Sequence, residues 1–487
     1  MIAWTLSLLS LTVPLVDAVK QSDHAAVRAL VAQQADVNAS EGDGATALHW
    51  AVYANDLEIV DLLLAAGASV NVANDLSITP LYLASGNGSE AVVARLLENG
   101  ADTDAASETG VTPLMEAART GSAGAVQTLL SHGANVNAGE KDRGQTALMW
   151  SAARGHADVV KVLLDHDANV RARTRIRQRT VMLDRGPRRT VKTSMRDAQR
   201  IDVGGSTALL FAVEAGDAES ARLLLDAGAD VDDSGADGRS VLVAAAFGGH
   251  RSVVDVLLDR GADVHVADAG YTALHAAALR GELETVRALL AHGANPNAPL
   301  TKGSPVRRFG AQWALPNTMM GATPLFVASV YLEGDIVRAL LAAGGDPALG
   351  LADGTTPLLA AAGTAVPREA RPSDLERFGL VDSDFIVIPR EEADVVDVAR
   401  LLLDAGADVN QANEAGNSAL HAAATAGMTT VIGLLAERGA ELEVENELGL
   451  TPLALTMPRE QGRPGRRSQV PGNEEAEQAL RKHGATR

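Results

Sequence analysis

The sequence predicts an all-α solenoid of about twelve copies of one helix pair, lengthened in four places by long loop inserts. Three observations carry this reading. A pattern of the type Thr-(Ala/Pro)-Leu-x-x-Ala recurs in register along the 487 residues. The palette is 46% hydrophobic but only 3% aromatic, which suits closely packed helices made of small side chains. A glycine also recurs 21 residues after most copies of the pattern, where a second helix has to stop.

The copies begin at Val13, Thr46, Thr79, Thr112, Thr146, Thr207, Ser240, Thr272, Thr323, Thr356, Ser418 and Thr451. The Thr or Ser is placed to cap a first helix, and the Pro that often follows sits at the first helical position, where no amide hydrogen bond is lost. Two residues after every start comes a leucine, from Leu15 and Leu48 to Leu420 and Leu453. Five residues after it comes Ala, with Ser151 and Thr456 as small exceptions, so that neighbouring helices can approach closely. A second helix follows, with pairs such as Val159, Val160, Leu163 and Leu164 forming one apolar stripe. It ends at Gly67, Gly100, Gly133, Gly228, Gly261, Gly293, Gly344 or Gly439, suited to a left-handed cap. Gln34 and Asp167 take that place in two copies. Asp tolerates the left-handed conformation better than most residues.

These residues resemble the ankyrin repeat, with its 33-residue step and Thr-Pro-Leu-His-x-Ala signature. The resemblance runs from about Val13 to Ala485 and implies one continuous solenoid over residues 13–487, with β-hairpin fingers and a concave groove lined by fingers and first helices. It implies an interaction scaffold without catalytic activity. It also marks the residues seven and eight after each start, and the one before it, as groove-facing. These include Tyr53, Arg119, Arg154, Glu214, Phe247, Tyr271, Arg280 and Tyr331.

Residues 1–12, the start of MIAWTLSLLSLTV, form an apolar leader of signal-peptide character, too short for the roughly 20 apolar residues of a membrane span. No Lys or Arg precedes Lys20, so the basic segment of a signal peptide is missing. A leader followed by long-insert repeats is similar to exported bacterial ankyrin-repeat proteins, and the expected location is periplasmic or secreted. The alternative is an extra apolar helix on a cytoplasmic protein. Cleavage after Ala18 would remove Leu15 and Ala18 from packing positions, so a cut near Thr12 is expected, leaving no membrane span.

A net charge of -20 repels polyanions as a whole, and the absence of cysteine excludes disulfides, thiolate nucleophiles and Cys-based zinc sites. Function is expected to concentrate in the inserts, at about 171–204, 298–321, 363–392 and 458–472. Residues 171–200 hold eleven Lys or Arg and two Asp, a net of +9 that leaves -29 for the rest. Strict alternation would place Arg171, Arg173, Arg175, Arg177 and Arg179 on one side of a strand, with a turn at Asp184–Pro187 and a return strand after it. Three readings are open: a solvated loop or a finger folded back on the acidic body, a docking finger for an acidic protein, and a polyanion site. The second insert carries Arg307, Arg308, Phe309, Trp313, Met319 and Met320, either a contact site or a cover for adjacent repeats. The third has a strand-like run at Phe385–Ile388.

The search for chemistry is negative. Phosphate-loop, dinucleotide, metalloprotease and hydrolase signatures are missing. His49, His275 and His421 share one repeat position and read as structural. The stretch from Asp230 superficially resembles a calcium loop, but its twelfth position is Val241 rather than Glu. The reading is therefore a monomeric, non-catalytic protein-binding scaffold without cofactor or metal. Its expected partner is an unidentified protein with an acidic surface, and nucleic acid is not expected. The alternatives are polyanion binding by the arginine-rich insert and an enzyme site within the inserts.

Overall fold

Apart from the copy that starts at Val13, the repeats begin at a hydroxyl side chain placed to take over a free amide of the first helical turn. Thr79 Oγ1 accepts the Tyr82 N–H at 3.3 Å, and Thr112, Thr207, Ser240, Thr323 and Thr451 do the same for the residue three further on. Such a cap contributes about 1 kcal/mol. The computed structural model describes residues 13–182, 198–303, 315, 317–363, 368–369, 387–388, 391–461 and 468–486; the leader, residues 1–12, lies outside them. Among the described residues there are twelve helix pairs, from Pro14–Lys20 with His24–Ala32 to Pro452–Thr456 with Glu474–Lys482.

The chain divides into two compact units, Met1–Arg177 with Val203–Ala236, and Gln178–Asp202 with Asp237–Arg487. In the first, the first helices Pro14–Lys20, Ala47–Tyr53, Pro80–Asn87, Pro113–Thr120, Ala147–Arg154 and Ala208–Ala215 pack each on the next, and the second helices do likewise. The second unit repeats this two-row arrangement from Val241–Gly248 to Pro452–Thr456. The core of each unit is the periodic set the pattern singles out: Leu48, Leu81, Leu114, Leu148 and Leu209 in the first and their equivalents in the second are buried, as are the small residues three further on. Replacing one of these leucines by Ala would cost about 2–5 kcal/mol. Leu15 and Ala18 are buried too, so the Val13 copy is a packed member of the array. Gln34 and Asp167 adopt φ of 58° and 62°, the left-handed conformation glycine takes elsewhere.

Neighbouring repeats are joined by three recurring hydrogen-bond systems. His49, His275 and His421 each use Nδ1 to accept their own cap residue's N–H, at 3.1 to 3.3 Å. That leaves Nε2 as the protonated nitrogen, and it donates to the next repeat through the carbonyls of Ile78, Ala322 and Leu450 at 3.0 to 3.2 Å. An asparagine four residues after the capping position forms the second link. Asn71 donates to the Gly100 carbonyl (2.9 Å) and accepts from the Asp102 N–H (2.7 Å), and Asn38, Asn137, Asn297 and Asn410 repeat the arrangement. The third link joins finger to finger, as in Asp75 N–H to Asp43 O, Lys141 to Thr109 and Ala236 to Gly204, each 2.9 Å.

The basic insert grows from a finger tip without breaking this ladder. Arg175 N–H still reaches the Arg143 carbonyl (2.7 Å), while Thr174 and Gly205/Ser206 close the base by hydrogen bonds of 3.0 and 3.1 Å. Gly204, at φ 102°, has no room for a side chain, since a Cβ there would lie 2.2 Å from the Arg175 carbonyl oxygen. Strand β1 (Arg177–Met182) pairs with β2 (Ala198–Val203). The expected strand over the whole arginine strip is therefore corrected. It starts only at Arg177, because residues before it are committed to the finger base; the expected turn at Asp184–Pro187 lies outside the described residues. In the third insert Val387–Ile388 is a strand, paired antiparallel with Arg368–Glu369. The fourth insert contains a ribbon the sequence did not announce, Arg459–Gln461 against Ser468–Val470.

Two predictions follow from these links. Burial lowers the pKa of the His275 imidazole to about 4, well below 6.5, because a charged ring cannot be solvated there. The unfolded chain takes up this proton first, so the stability is complete above pH 6.5 and is lost as pH falls toward 4, by roughly 3 kcal/mol. Urea unfolding of the chain at pH 7 and pH 4.5 should show this loss, and His275→Gln should make the pH dependence shallower. Second, Arg173 Nη1 donates to the carbonyls of Gly205 (2.8 Å) and Ser234 (3.1 Å), and Nη2 to the Asp233 carboxylate. The Asp233 side chain is only 3% exposed and also accepts from the Thr207 hydroxyl. Arg173→Ala should therefore destabilise the first unit by about 3 kcal/mol, since a buried carboxylate loses its cation. Arg177→Ala, whose bridge to Asp142 (2.8 Å) is exposed on both sides, should change stability by less than about 1 kcal/mol in the same urea titration.

Candidate functional site

The five strip arginines do not act as one face. Arg173 turns to Asp233 and the next finger, whereas Arg175 donates to the Lys141 carbonyl and Arg177 to Asp142, both on the preceding finger. Alternation sends them the same way only along a strand, and Arg173 and Arg175 precede β1. Arg171, Arg179 and, on the returning strand, Arg200 are exposed, with no side-chain partner among the described residues. Three of the strip's cations root the finger, and the remaining two keep their charge open to solvent.

On the first helices of the first unit, Tyr53 is 64% exposed and meets Trp50 edge-on at 5.9 Å between ring centroids. Arg119 is bonded to Glu116 through Nε (2.8 Å) and Nη2 (2.7 Å). Glu116, a buried carboxylate, accepts in turn from the Tyr82 hydroxyl at 2.9 Å. Burial and that carboxylate both raise the Tyr82 pKa, so Tyr82 stays a neutral donor. Arg154 is exposed and makes no side-chain bond among the described residues. Half-buried Trp50, Leu83, Trp150 and Phe211, with Glu116 among them, occupy one position in five successive first helices.

In the second unit one expectation fails. Tyr271 is not a surface contact: it is 2% exposed, packed against the half-buried Phe247 ring at 6.3 Å, and burial pushes its hydroxyl up to about 12. Ala45, Val111 and Ala322, which also stand immediately before a start, are buried as well. Arg280 is largely enclosed, with 13% of its side chain exposed, and lies 3.9 Å from Glu282. Tyr331 is half-buried at the end of its helix, just before Leu332 at a left-handed φ of 58°. In the second insert Leu315 and Met319 are buried and Met320 is exposed; Arg307, Arg308, Phe309 and Trp313 lie outside the described residues.

Among the described residues no group of acidic or histidine side chains could hold a metal ion, and no helix is long and apolar enough to cross a membrane. Sequence reasoning missed the asparagine ladder and the Arg173–Asp233 tie. The asparagines carried a signal, their fixed offset from each capping position. Asp233 carried none, because its partner lies 60 residues away.

The sequence model described as ankyrin repeats (3 copies) matches residues 12–74, 81–174, 138–234, 181–268, 209–300 and 266–350. The chain is also similar to the crystal structure of the human ASB11 ankyrin repeat domain, at 28% identity and a TM-score of 0.41, over 51% of this chain and 98% of that one. Matched over most of its length, and built of capped helix pairs tied finger to finger, the chain belongs to the ankyrin repeat family.

Proposed function

We propose that the chain is a non-catalytic scaffold that binds a protein partner through the exposed face of its first helices and through the ribbon grown from its basic finger. Ankyrin repeats are generally protein–protein interaction modules, and the first helices of the first unit offer exposed contact side chains such as Tyr53 and Arg154. The observation that carries the reading is the division of labour among the arginines. A finger whose base is held by Arg173, Arg175 and Arg177 presents Arg179 and Arg200 on an ordered ribbon, uncompensated inside an acidic chain. Such guanidinium groups favour carboxylates on a partner surface. The same division weakens the polyanion reading, since the strip retains fewer free cations than its sequence suggests.

The monomeric state and a place in the periplasm or outside the cell belong to the same proposal, supported for location by the apolar leader. Mass spectrometry of the mature N-terminus should find cleavage near Thr12; a mature chain starting at Met1 in the cytoplasm contradicts that part.

The scaffold reading is tested by capture from native cell-envelope extract, followed by affinity measurement with the purified partner. Arg179→Glu with Arg200→Glu, or Arg154→Glu with Tyr53→Ala, should weaken binding at least tenfold. Unchanged affinity in both double variants would refute it. Nucleic acid binding with a logarithmic salt slope near -4 would favour the polyanion instead.

A further inference from the structure

The first unit keeps large apolar side chains at a position where the array can be built without them. Trp50, Leu83, Trp150 and Phe211 stand four residues after the starts at Thr46, Thr79, Thr146 and Thr207, and each is only half-buried. In the second unit Ala244, Ala276, Ala360 and Ala422 occupy the same place, and their first helices form and pack one on the next all the same. Packing between repeats therefore does not account for a half-exposed Trp or Phe where alanine suffices. A run of such side chains marks a contact surface. The fifth member of the row, Glu116, adds no free charge, since it is 8% exposed, accepts from the Tyr82 hydroxyl and is bonded to Arg119.

The ends of the same helices carry groups able to donate hydrogen bonds. Tyr53 is 64% exposed, and its hydroxyl has no partner among the described residues. Arg119 is 41% exposed and keeps Nη1 clear of Glu116, which takes Nε and Nη2. Arg154 is exposed and has no side-chain partner among the described residues. The other charges here are matched: Lys20 is bonded to Glu41 at 2.6 Å and lies 4.2 Å from the centre of the Trp50 ring, and Glu214, beyond Phe211, is already engaged. Arg154 is thus the charge left over, and a carboxylate on the partner complements it where a lysine would not.

The spacing of the row selects a chain conformation. Packed helices lie about 8–10 Å apart, so the row repeats at that interval. A polyproline II chain has three residues per turn and rises about 3.1 Å per residue, which returns every third side chain to one face after about 9 Å. A β-strand turns its third residue to the opposite face, and an α-helix keeps its carbonyls for its own bonds. Polyproline II leaves every carbonyl free for donors such as Tyr53 and Arg119. We propose that the row Trp50, Leu83, Trp150 and Phe211 receives a proline-rich segment of the partner in polyproline II form, with an apolar residue at every third position and a carboxylate at Arg154. The four steps from Trp50 to Phe211 take up about twelve residues of such a segment. This rests on the scaffold reading and adds to it the conformation and chemistry of what is bound.

The test is binding of capped peptides to the full chain, read by calorimetry and tryptophan fluorescence. A peptide of four Leu-Pro-Pro repeats with Glu at one end or the other should bind at least tenfold more tightly than one of three Leu-Pro-Pro-Pro repeats with the same Glu, which has the same length but falls out of step with the row. It should exceed four Leu-Gly-Gly repeats, in step but without the polyproline II form, by a similar factor. Trp150→Ala and Phe211→Ala copy the second unit's choice of residue. Each should weaken binding at least tenfold while urea unfolding stays cooperative, so loss of binding would not signify loss of fold. Arg154→Glu should transfer the preference from Glu-ended to Lys-ended peptides. Equal binding of in-step and out-of-step peptides, equal binding of the glycine peptide, no binding of any, undiminished binding in both alanine variants, or an unchanged preference in Arg154→Glu would overturn the proposal. Partner capture separates the two readings. A captured protein held equally by wild type and both alanine variants leaves the scaffold standing without this row. In-step peptide binding by a chain that captures no protein leaves the row standing without the scaffold.

Discussion

No repeat in this chain can satisfy its own ends, and the rest of the structure depends on that deficiency. A helix of eight or nine residues leaves a large share of its backbone groups without intrahelical partners, and isolated helices this short are not stable in water. Caps remove part of the debt locally. The remainder is met by the next copy, through the His Nε2 to carbonyl bonds, the asparagine bridges and the finger ladder. Stability within each unit is therefore a nearest-neighbour property. The same bonds also fix spacing, because an asparagine that both donates and accepts across the boundary allows one offset between copies.

That constraint explains where variation occurs. Helix starts, the leucine two residues on and the small residue five residues on are held constant because each touches both its own pair and a neighbour. The chain has lengthened outside these positions, twice at a finger and twice between the two helices of a pair. The same logic accounts for the exposed first-helix positions, which carry Tyr53, Arg119 and Arg154 in one unit without disturbing the packing behind them.

The array was legible in the sequence because its causes are local and repeated: a leucine, a small residue and a left-handed stop in all twelve copies, with a Thr or Ser cap in all but the first. Even the exceptions could be read, Gln34 and Asp167 doing the work of glycine. What escaped was non-periodic or long in range. Tyr271 occupies a position whose burial depends on how finger and helix meet, and nothing in its neighbours along the chain reveals that. The arginines alternate perfectly in sequence, yet Arg173 and Arg175 point to different fingers because the strand has not yet begun.

The closure between Thr174 and Gly205/Ser206 has a consequence for how such a protein can change. A segment whose two ends are clamped a few ångströms apart is a handle attached at one point. Doubling its length adds only about 0.6 kcal/mol of closure entropy, and among the described residues its side-chain ties to the preceding finger are those of Arg175 and Arg177, close to its root. The finger tip is thus a place where new sequence can be tried at almost no structural risk, and where a tag or a small folded module could be carried by an array that keeps its register.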